Sequence, residues 1–445
     1  MVKLYRLLTL LSAGIISLSV SAQSENAEQK VTPYGFVRSD IFYNSRKNIE
    51  LRDGSLNLYP LDGGASYLTN KANDDINDRS QLFFSGIVSR FGVKFNGLTA
   101  FGAKATGALE TDFFGINTGS ENLLRLRHAY VALDWSKTQL LVGQYWNPNF
   151  IVACFPGVAN FSTGIPFNPF SFSPQVRLTH KFNKNISAMG MVFGQELGGF
   201  STAGTYTNIS ATGSGADAFR YAGIPDLAGE ITFTAGKKFI GGIGGEINTI
   251  RPRINDINAG TGFVENINKN VTMPNLKVYA KYTNKNFVLK GYIIMGQSLS
   301  RYVSTGALVE YRDSASGEWN YKVQKQINLW AELIVTKSKM FQPALFVGYI
   351  KNMGLKDDLT ANMYKAGTYG LYSRGITATR TFDNIFRIAP RVDIISNKFK
   401  FSPEIEVTNM LYGNTDKSNL KIASATPNEY KASNLRIQFT TSYTF

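Results

Sequence analysis

The end of the chain alternates with a period of two. Leu435, Ile437, Phe439, Thr441, Tyr443 and Phe445 share one parity, and Arg436, Gln438, Thr440, Ser442 and Thr444 share the other. Phe386, Ile388, Val392 and Ile394 alternate in the same way with Arg387, Arg391 and Asp393. Leu276, Val278, Ala280 and Tyr282 do so against Lys277, Tyr279 and Lys281. A period of two is the mark of a strand with one apolar and one polar face. Short polar turn signals separate such runs: Asn96-Gly97, Ser136-Lys137, Asn183-Lys184-Asn185, Gly236-Lys237, Asn284-Lys285-Asn286, Ser338-Lys339 and Asn397-Lys398, spaced 40 to 59 residues apart. Each reads as a hairpin. Longer stretches rich in Gly, Asn, Thr, Ser and Asp lie between them. Seven short turns, with a first and a last strand, predict sixteen strands and eight longer loops.

Alternation alone does not say which face is inside. A soluble sandwich turns its apolar face inward, and a transmembrane barrel turns it outward. Three features favour the barrel. The polar parity carries several charges per strand. Aromatics gather beside the short turns, at Phe95, Trp135, Phe182, Phe239, Tyr282, Phe287, Phe341, Phe399 and Tyr443, as rings do at a membrane interface. The turns are short on one side and the loops long on the other. The expected fold class is therefore all-β, a sixteen-stranded antiparallel transmembrane β-barrel, with a secreted soluble β-protein as the alternative.

Composition agrees. Charged residues are 18% of the 445 and aromatics 13%, too few charges and too many rings for a disordered chain. No apolar stretch after residue 22 reaches the ~18–20 residues of a membrane helix. A single Cys excludes an internal disulfide framework, and two His leave little for a His-rich metal site. At the start, Lys3 and Arg6 precede an apolar run from Leu7 to Val20 and the small residues Ser21 and Ala22. This reads as an export leader over residues 1–22, then a short segment, 23–32, and a barrel domain over 33–445.

Several runs resemble a known group. Ser89-Arg90-Phe91-Gly92-Val93-Lys94, Leu109-Glu110-Thr111-Asp112-Phe113-Phe114-Gly115, and Leu124-Arg125-Leu126-Arg127-His128-Ala129-Tyr130 followed by Val142-Gly143-Gln144-Tyr145-Trp146 are similar to strands of Gram-negative outer-membrane porins. The closest likeness is to the DcaP-like dicarboxylate and phosphate-type porins. The likeness is concentrated in residues 80–150, and elsewhere it is one of architecture. The DcaP-like group carries a helical N-terminal extension, whereas here about ten residues separate the expected cleavage point from Pro33. The resemblance implies a homotrimeric diffusion channel in the outer membrane, with lipid and lipopolysaccharide around it, small anionic or polar solutes as cargo, and no cofactor or metal. It also implies that the third long loop folds into the barrel. That loop follows the fifth strand and spans about 147–174. It has no charged residue and holds Phe150, Phe155, Phe161, Phe167, Phe170 and Phe172. The rings either pack against the wall or form an apolar track for solute. Cys154, in the same loop, reads as a small buried residue.

The polar parities then supply the wall. They give Arg38, Arg90, Lys94, Lys104, Arg125, Arg127, Arg177, Arg387, Arg391 and Arg436, together with Lys181, Lys277, Lys281 and Lys290, against Asp40, Glu110, Glu230, Glu332, Asp393, Glu404 and Glu406. An excess of bases predicts a lumen that favours anions. Arg38, Arg90, Arg125, Arg127 and Arg177 stand on early strands nearest the loop. Glu404 and Glu406 are expected to pair with Arg391 or Arg436. His128 and His180 fall on the opposite parity from the arginines beside them and are expected on the outer wall. No Ser and third partner accompany them, which argues against an outer-membrane hydrolase. There is no phosphate loop and no H-E-x-x-H motif. The Gly241–Gly245 run reads as a site of close packing or bending. The first loop, about 47–79, has Asp74, Asp75 and Asp78 but no calcium-loop spacing, and is expected to be solvated or to bridge lipopolysaccharide. No basic face with stacking aromatics suggests nucleic acid. The remaining alternatives are a broad nutrient channel and a surface adhesin or structural barrel.

Overall fold

The computed structural model describes residues 29–63, 75–115, 119–161, 163–194, 217–257, 264–297, 299–360, 363–369 and 380–445. The expected leader, and residues 23–28 after it, lie outside them. Sixteen antiparallel strands close into a barrel. They are β1 (Lys30–Asn44), β2 (Gln81–Ser85, continuing as Arg90–Ala100), β3 (Ala103–Asp112), β4 (Arg125–Asp134), β5 (Thr138–Trp146), β6 (Phe172–Lys181), β7 (Ile186–Phe193) and β8 (Asp226–Ala235). The second half is β9 (Phe239–Ile250), β10 (Val271–Thr283), β11 (Phe287–Gln297), β12 (Trp319–Val335), β13 (Phe341–Leu355), β14 (Arg380–Ser396), β15 (Phe399–Asp416) and β16 (Tyr430–Thr444). Strand β1 closes the ring against β16, from Phe36 opposite Thr444 to Asn44 opposite Arg436. At this seam the Phe445 N–H donates to Gly35 O at 3.1 Å. A Cβ on Gly35 would lie 2.2 Å from the Arg90 carbonyl oxygen and 2.8 Å from the Phe445 ring, so only glycine fits at this crossing.

Closure removes sheet edges and pairs the backbone, which a hydrocarbon surrounding demands. In the break of β2 the Ser89 hydroxyl substitutes for a neighbouring strand, accepting from Arg38 N–H at 3.0 Å and donating to Arg38 O at 3.2 Å. The outer wall is apolar: Val37, Leu109, Val131, Val176, Ile231, Ile243, Leu276, Ile293, Ile405 and Phe439 are all exposed. The inner face carries the charges, and Asp112, Arg127, Asn328, Glu332, Arg387 and Arg436 are buried. This inversion is that of a membrane-spanning barrel. Exposed rings at the short-turn end, including Phe101, Phe182, Tyr282, Phe341, Phe399 and Tyr443, form the expected girdle.

Six of the seven predicted turns sit where the sequence put them. The first does not. Asn96-Gly97 lies within β2 at a bulge, where the register against β3 shifts between Phe95 and Leu98. Gly97 spends its positive φ of 100° there. The turn itself is Phe101-Gly102, with φ of 54° and 71°, the left-handed pair that a tight hairpin requires. The Trp135 indole N–H donates to Phe101 O at 3.0 Å, tying this turn to the next one.

Among the described residues, three segments fold inward. The third loop, 147–171, enters after β5 as expected. The first loop enters as well, as a hairpin of Asn48–Leu51 and Leu56–Pro60, with Arg52, Leu56, Asn57 and Leu58 buried. This corrects the expectation of a solvated first loop. Its Leu and Tyr residues need an apolar partner, and Tyr59 joins the central cluster with Phe114 and Phe161. Asp74 lies outside the described residues. Asp75 is held by Arg46 at 2.7 Å and by the Tyr430 hydroxyl at 2.9 Å. Burial opposes its charge, but these bonds prevail and keep the carboxyl below its ordinary range. The third inward segment, from Leu299 to Leu308, was not foreseen. Tyr302 O accepts from Phe170 N–H at 3.0 Å, and Ser304 donates to Pro166 O at 2.7 Å.

The packing is tight enough to test. Gly348, on β13, faces the Phe167 ring, and a Cβ there would sit 2.5 Å from it. Gly348→Val should cost about 1–3 kcal/mol through overpacking, seen as a lower urea midpoint for the refolded barrel. Unchanged stability would mean that Phe167 does not seat against this strand.

Candidate functional site

The third loop has no side-chain charge, so its polar groups are its peptide bonds. The wall charges meet them. Glu332, on β12, accepts from Gly157 N–H at 3.0 Å with both oxygens. Glu404, on β15, accepts from Ala159 N–H at 2.8 Å and Asn160 N–H at 3.1 Å. Glu406 takes the Asn160 side-chain amide at 3.1 Å. Bases hold the carbonyls. Lys290 donates to Phe155 O at 3.0 Å and Arg387 to Ile165 O at 2.7 Å, while Arg38 reaches Ala159 O and Lys277 reaches Pro148 O. Hydrogen bonds to ionised groups are stronger than neutral ones, and buried backbone groups left unpaired are costly. The loop is thus fixed at both signs along its length. A Cβ on Gly157 would come within 2.9 Å of the Arg391 guanidinium and 3.2 Å of the Glu332 carboxylate, so a side chain there would press on this ion pair.

The rings of the loop turn away from water. Phe150, Phe161, Phe167 and Phe170 are buried in the central cluster, and Phe172 is the first residue of β6 rather than part of the loop. Trp146 stacks on Phe150 at 3.8 Å. Phe155 alone among them is exposed. Cys154 is buried, its Sγ 3.3 Å from Ala280 O. Burial pushes its thiol up to about 11, so at neutral pH it is a protonated, unreactive group.

The predicted basic residues divide by depth. All face inward, and only some reach water. Arg125 makes a two-point contact with Asp112 at 2.9 and 2.7 Å. Arg127 binds Glu110 at 2.6 Å and Asp112 at 3.1 Å, and its guanidinium lies 4.6 Å from the Phe172 ring centre. Both arginines are sealed from solvent. So are Arg387, which also holds the first-loop hairpin through Leu58 O at 2.8 Å, and Arg436, which holds Gly54 O at 3.0 Å over the Phe42 ring. Arg391 is buried between Glu332 and Asp393. Nearer the short turns, Arg38 and Arg90 are partly accessible, and Lys94 and Lys104 are exposed. Arg177 lines a cavity of about 360 Å³ between the wall and the Pro148–Ala153 stretch of the loop.

Some expectations change. His128 points inward, 3.7 Å from Glu110 and edge-on to Phe172. The cause is a bulge: Glu110 pairs with His128 but Thr111 with Leu126, so Arg127 and His128 are consecutive residues on one face. His180 keeps the outward parity of Val176 and Leu178, with Nδ1 2.9 Å from the Thr138 hydroxyl. Glu406 pairs with Arg387 at 3.2 Å rather than with Arg391 or Arg436. Sequence reasoning missed Lys400, although its parity with Glu404 and Glu406 was available. The glycine run has a definite use. Gly242 lies under the Tyr279 ring and Gly244 under the Lys277 stem. Both side chains thereby cross β9 to reach Glu230 on β8, at 2.8 Å each.

Removing Glu404 tests the tether. Glu404→Ala leaves two loop N–H groups unpaired, at about 1–3 kcal/mol apiece, and should raise single-channel conductance by loosening the loop. An unaltered conductance and stability would show that the loop is held elsewhere. A maleimide should label Cys154 only after unfolding, and rapid labelling of the folded barrel at neutral pH would contradict the seating of the loop.

No protein-family model matches the chain, and no curated protein matches it in sequence. Solved structures do match in fold. The outer-membrane channel DcaP of Acinetobacter baumannii is 17% identical with a TM-score of 0.61, over 96% of this chain and 100% of that one. The anion-selective porin from Comamonas acidovorans is 11% identical with a TM-score of 0.50, over 94% and 100%. OmpT of Vibrio cholerae, an outer-membrane protein also solved in a trimer form, is 11% identical with a TM-score of 0.52, over 95% and 99%. The fold is that of Gram-negative outer-membrane porins. Together with the apolar outer wall, it places the barrel in the outer membrane.

Proposed function

We propose that the barrel is a passive channel that favours small anions, with dicarboxylates and phosphate as the expected class, and that it works without covalent chemistry. One observation carries this reading. In the accessible ion pairs of the inner wall, the base reaches water and the acid does not. Side-chain exposure is 13% for Arg38 against 3% for Asp40, 19% for Arg90 against 7% for Glu110, and 39% for Lys400 against 9% for Asp393. Lys277 and Glu230, and Arg46 and Asp75 at the first loop, reverse the order, and in each the acid also accepts from a tyrosine hydroxyl. The wall is close to neutral by count of its pairs and basic by what a solute meets. Basic linings favour anions, and low-dielectric walls focus their field. The anion-selective neighbour and the trimer form of another support the same class of channel and a homotrimeric assembly. An apolar track has less support, since only Phe155 among the loop phenylalanines is exposed.

The test is the reversal potential of the purified protein in a planar bilayer under a KCl gradient. The wild type should favour chloride, and Arg90→Gln should move the potential toward zero. Arg127→Gln should act differently. It strips the main partner from Glu110 and one of two from Asp112, so its effect should be a loss of stability of about 3–5 kcal/mol rather than of selectivity. Robust conductance without anion preference would overturn the proposal, and so would an equal selectivity loss in both variants.

A further inference from the structure

The cavity beside the third loop has features that a simple anion path does not need. Arg177 differs from the other early-strand arginines. Arg38, Arg90, Arg125 and Arg127 each have a carboxylate within 4 Å. Arg177 has none among the described residues. Its one hydrogen bond goes to Trp146 O at 2.8 Å, and its guanidinium lies 5.4 Å from the Tyr145 ring centre. Its Nε is buried without a partner. Arg177 therefore borders the cavity as a cation with no carboxylate of its own among the described residues.

The rest of the lining is mixed: Leu141, Ile151, Val152, Met189 and Ile240 give it an apolar part, and hydroxyls give it a polar one. Thr106, Thr179 and Ser187 border the cavity with Tyr130 and Tyr145, and none of these five hydroxyls has a hydrogen-bond partner among the described residues. Ring faces stand among them, with Tyr130 and Tyr145 4.9 Å apart at 69°. On the far side Glu230 is balanced by Lys277 at 2.8 Å, so it does not repel an incoming carboxylate. A volume of about 360 Å³ lies within the usual range for small-molecule sites, roughly 300–1,000 Å³.

A bare dicarboxylate would use the arginine and leave the five hydroxyls idle. A flat aromatic acid would use the rings and leave them idle too. A carboxylate carried on a hydroxylated ring uses all three. We infer that this cavity is a binding subsite for a sugar acid of hexuronate size, its carboxylate on Arg177, its ring against Tyr145, and its hydroxyls on Thr106, Thr179, Ser187 and Tyr130. This rests on the channel reading and narrows its solute class.

The test is calorimetric titration of the full-length refolded barrel in detergent with glucuronate. Glucose, which lacks the carboxylate, and succinate, which lacks the ring, are the comparison probes. Wild type should bind glucuronate saturably and at least about tenfold more tightly than either, a difference of ~1.4 kcal/mol. Arg177→Gln should weaken glucuronate by about tenfold or more. The double variant Thr179→Val/Ser187→Ala should weaken glucuronate and leave succinate unaltered. Heat-dependent gel mobility confirms that each variant is folded, and the double variant keeps the test decisive where the arginine change prevents folding. Equal binding of succinate and glucuronate, or full affinity in the double variant, would overturn the inference. Failure of the channel reading is read separately, as absence of bilayer conductance, and binding without conductance would leave the subsite standing.

Discussion

The structure depends on the meeting of an uncharged loop with a charged wall. A barrel in lipid must turn its polar side chains inward, and an inward charge without a partner is costly. A loop with charges of its own would match some wall groups and repel others. A loop made only of apolar and uncharged polar residues offers peptide N–H groups to the acids and carbonyls to the bases, wherever each falls. Glu332, Glu404 and Glu406 take the first, and Lys290, Arg387, Lys277 and Arg38 take the second. The phenylalanines of the loop then fill the space between these anchors and exclude water from them, which strengthens the bonds.

The same economy explains why so many arginines do not serve selectivity directly. Arg387 and Arg436 hold the first-loop hairpin by its carbonyls, at Leu58 and Gly54. Arg125 and Arg127 satisfy Asp112 and Glu110 under a roof of Phe114 and Phe172. What remains for a solute is the outer layer of each pair. Net wall charge is therefore a poor guide to the field in the lumen, and burial of each partner is a better one.

Much of this was legible in the sequence. Alternation, turn spacing and the girdle of rings gave the barrel and its strand number, because each follows from a local period or a local turn, whereas the inward third loop followed from the resemblance to porins. Parity placed all ten nominated bases on the inner face. It failed at His128, since a bulge adds one residue and no composition marks it. It failed at Asn96-Gly97, where a strong hairpin signal is spent on a bulge and a Phe-Gly pair makes the turn. Depth was not legible at all. Arg90 and Arg127 look alike in a strand pattern, and only the fold shows that one meets water and the other is sealed beneath Phe172. The inward first loop was hidden because its acids drew more notice than Leu56, Leu58 and Tyr59.

The seam between β1 and β16 couples closure of the barrel to docking of its loops. The contacts of Phe445 with Gly35 and of Asn44 with Arg436 join the two ends of the chain, the largest sequence separation the barrel contains. Such contacts carry the greatest loop-closure entropy and form late. The first and third loops share this step, because their anchors include Gln438 and Arg436 on the closing strand and Glu404 and Glu406 beside it. Closure and loop docking are therefore coupled, and the docked loops present to β16 the polar groups that match its polar face. The plug acts as a template for the final strand, and a chain whose third loop is mis-seated would meet its own C-terminus with the wrong partners.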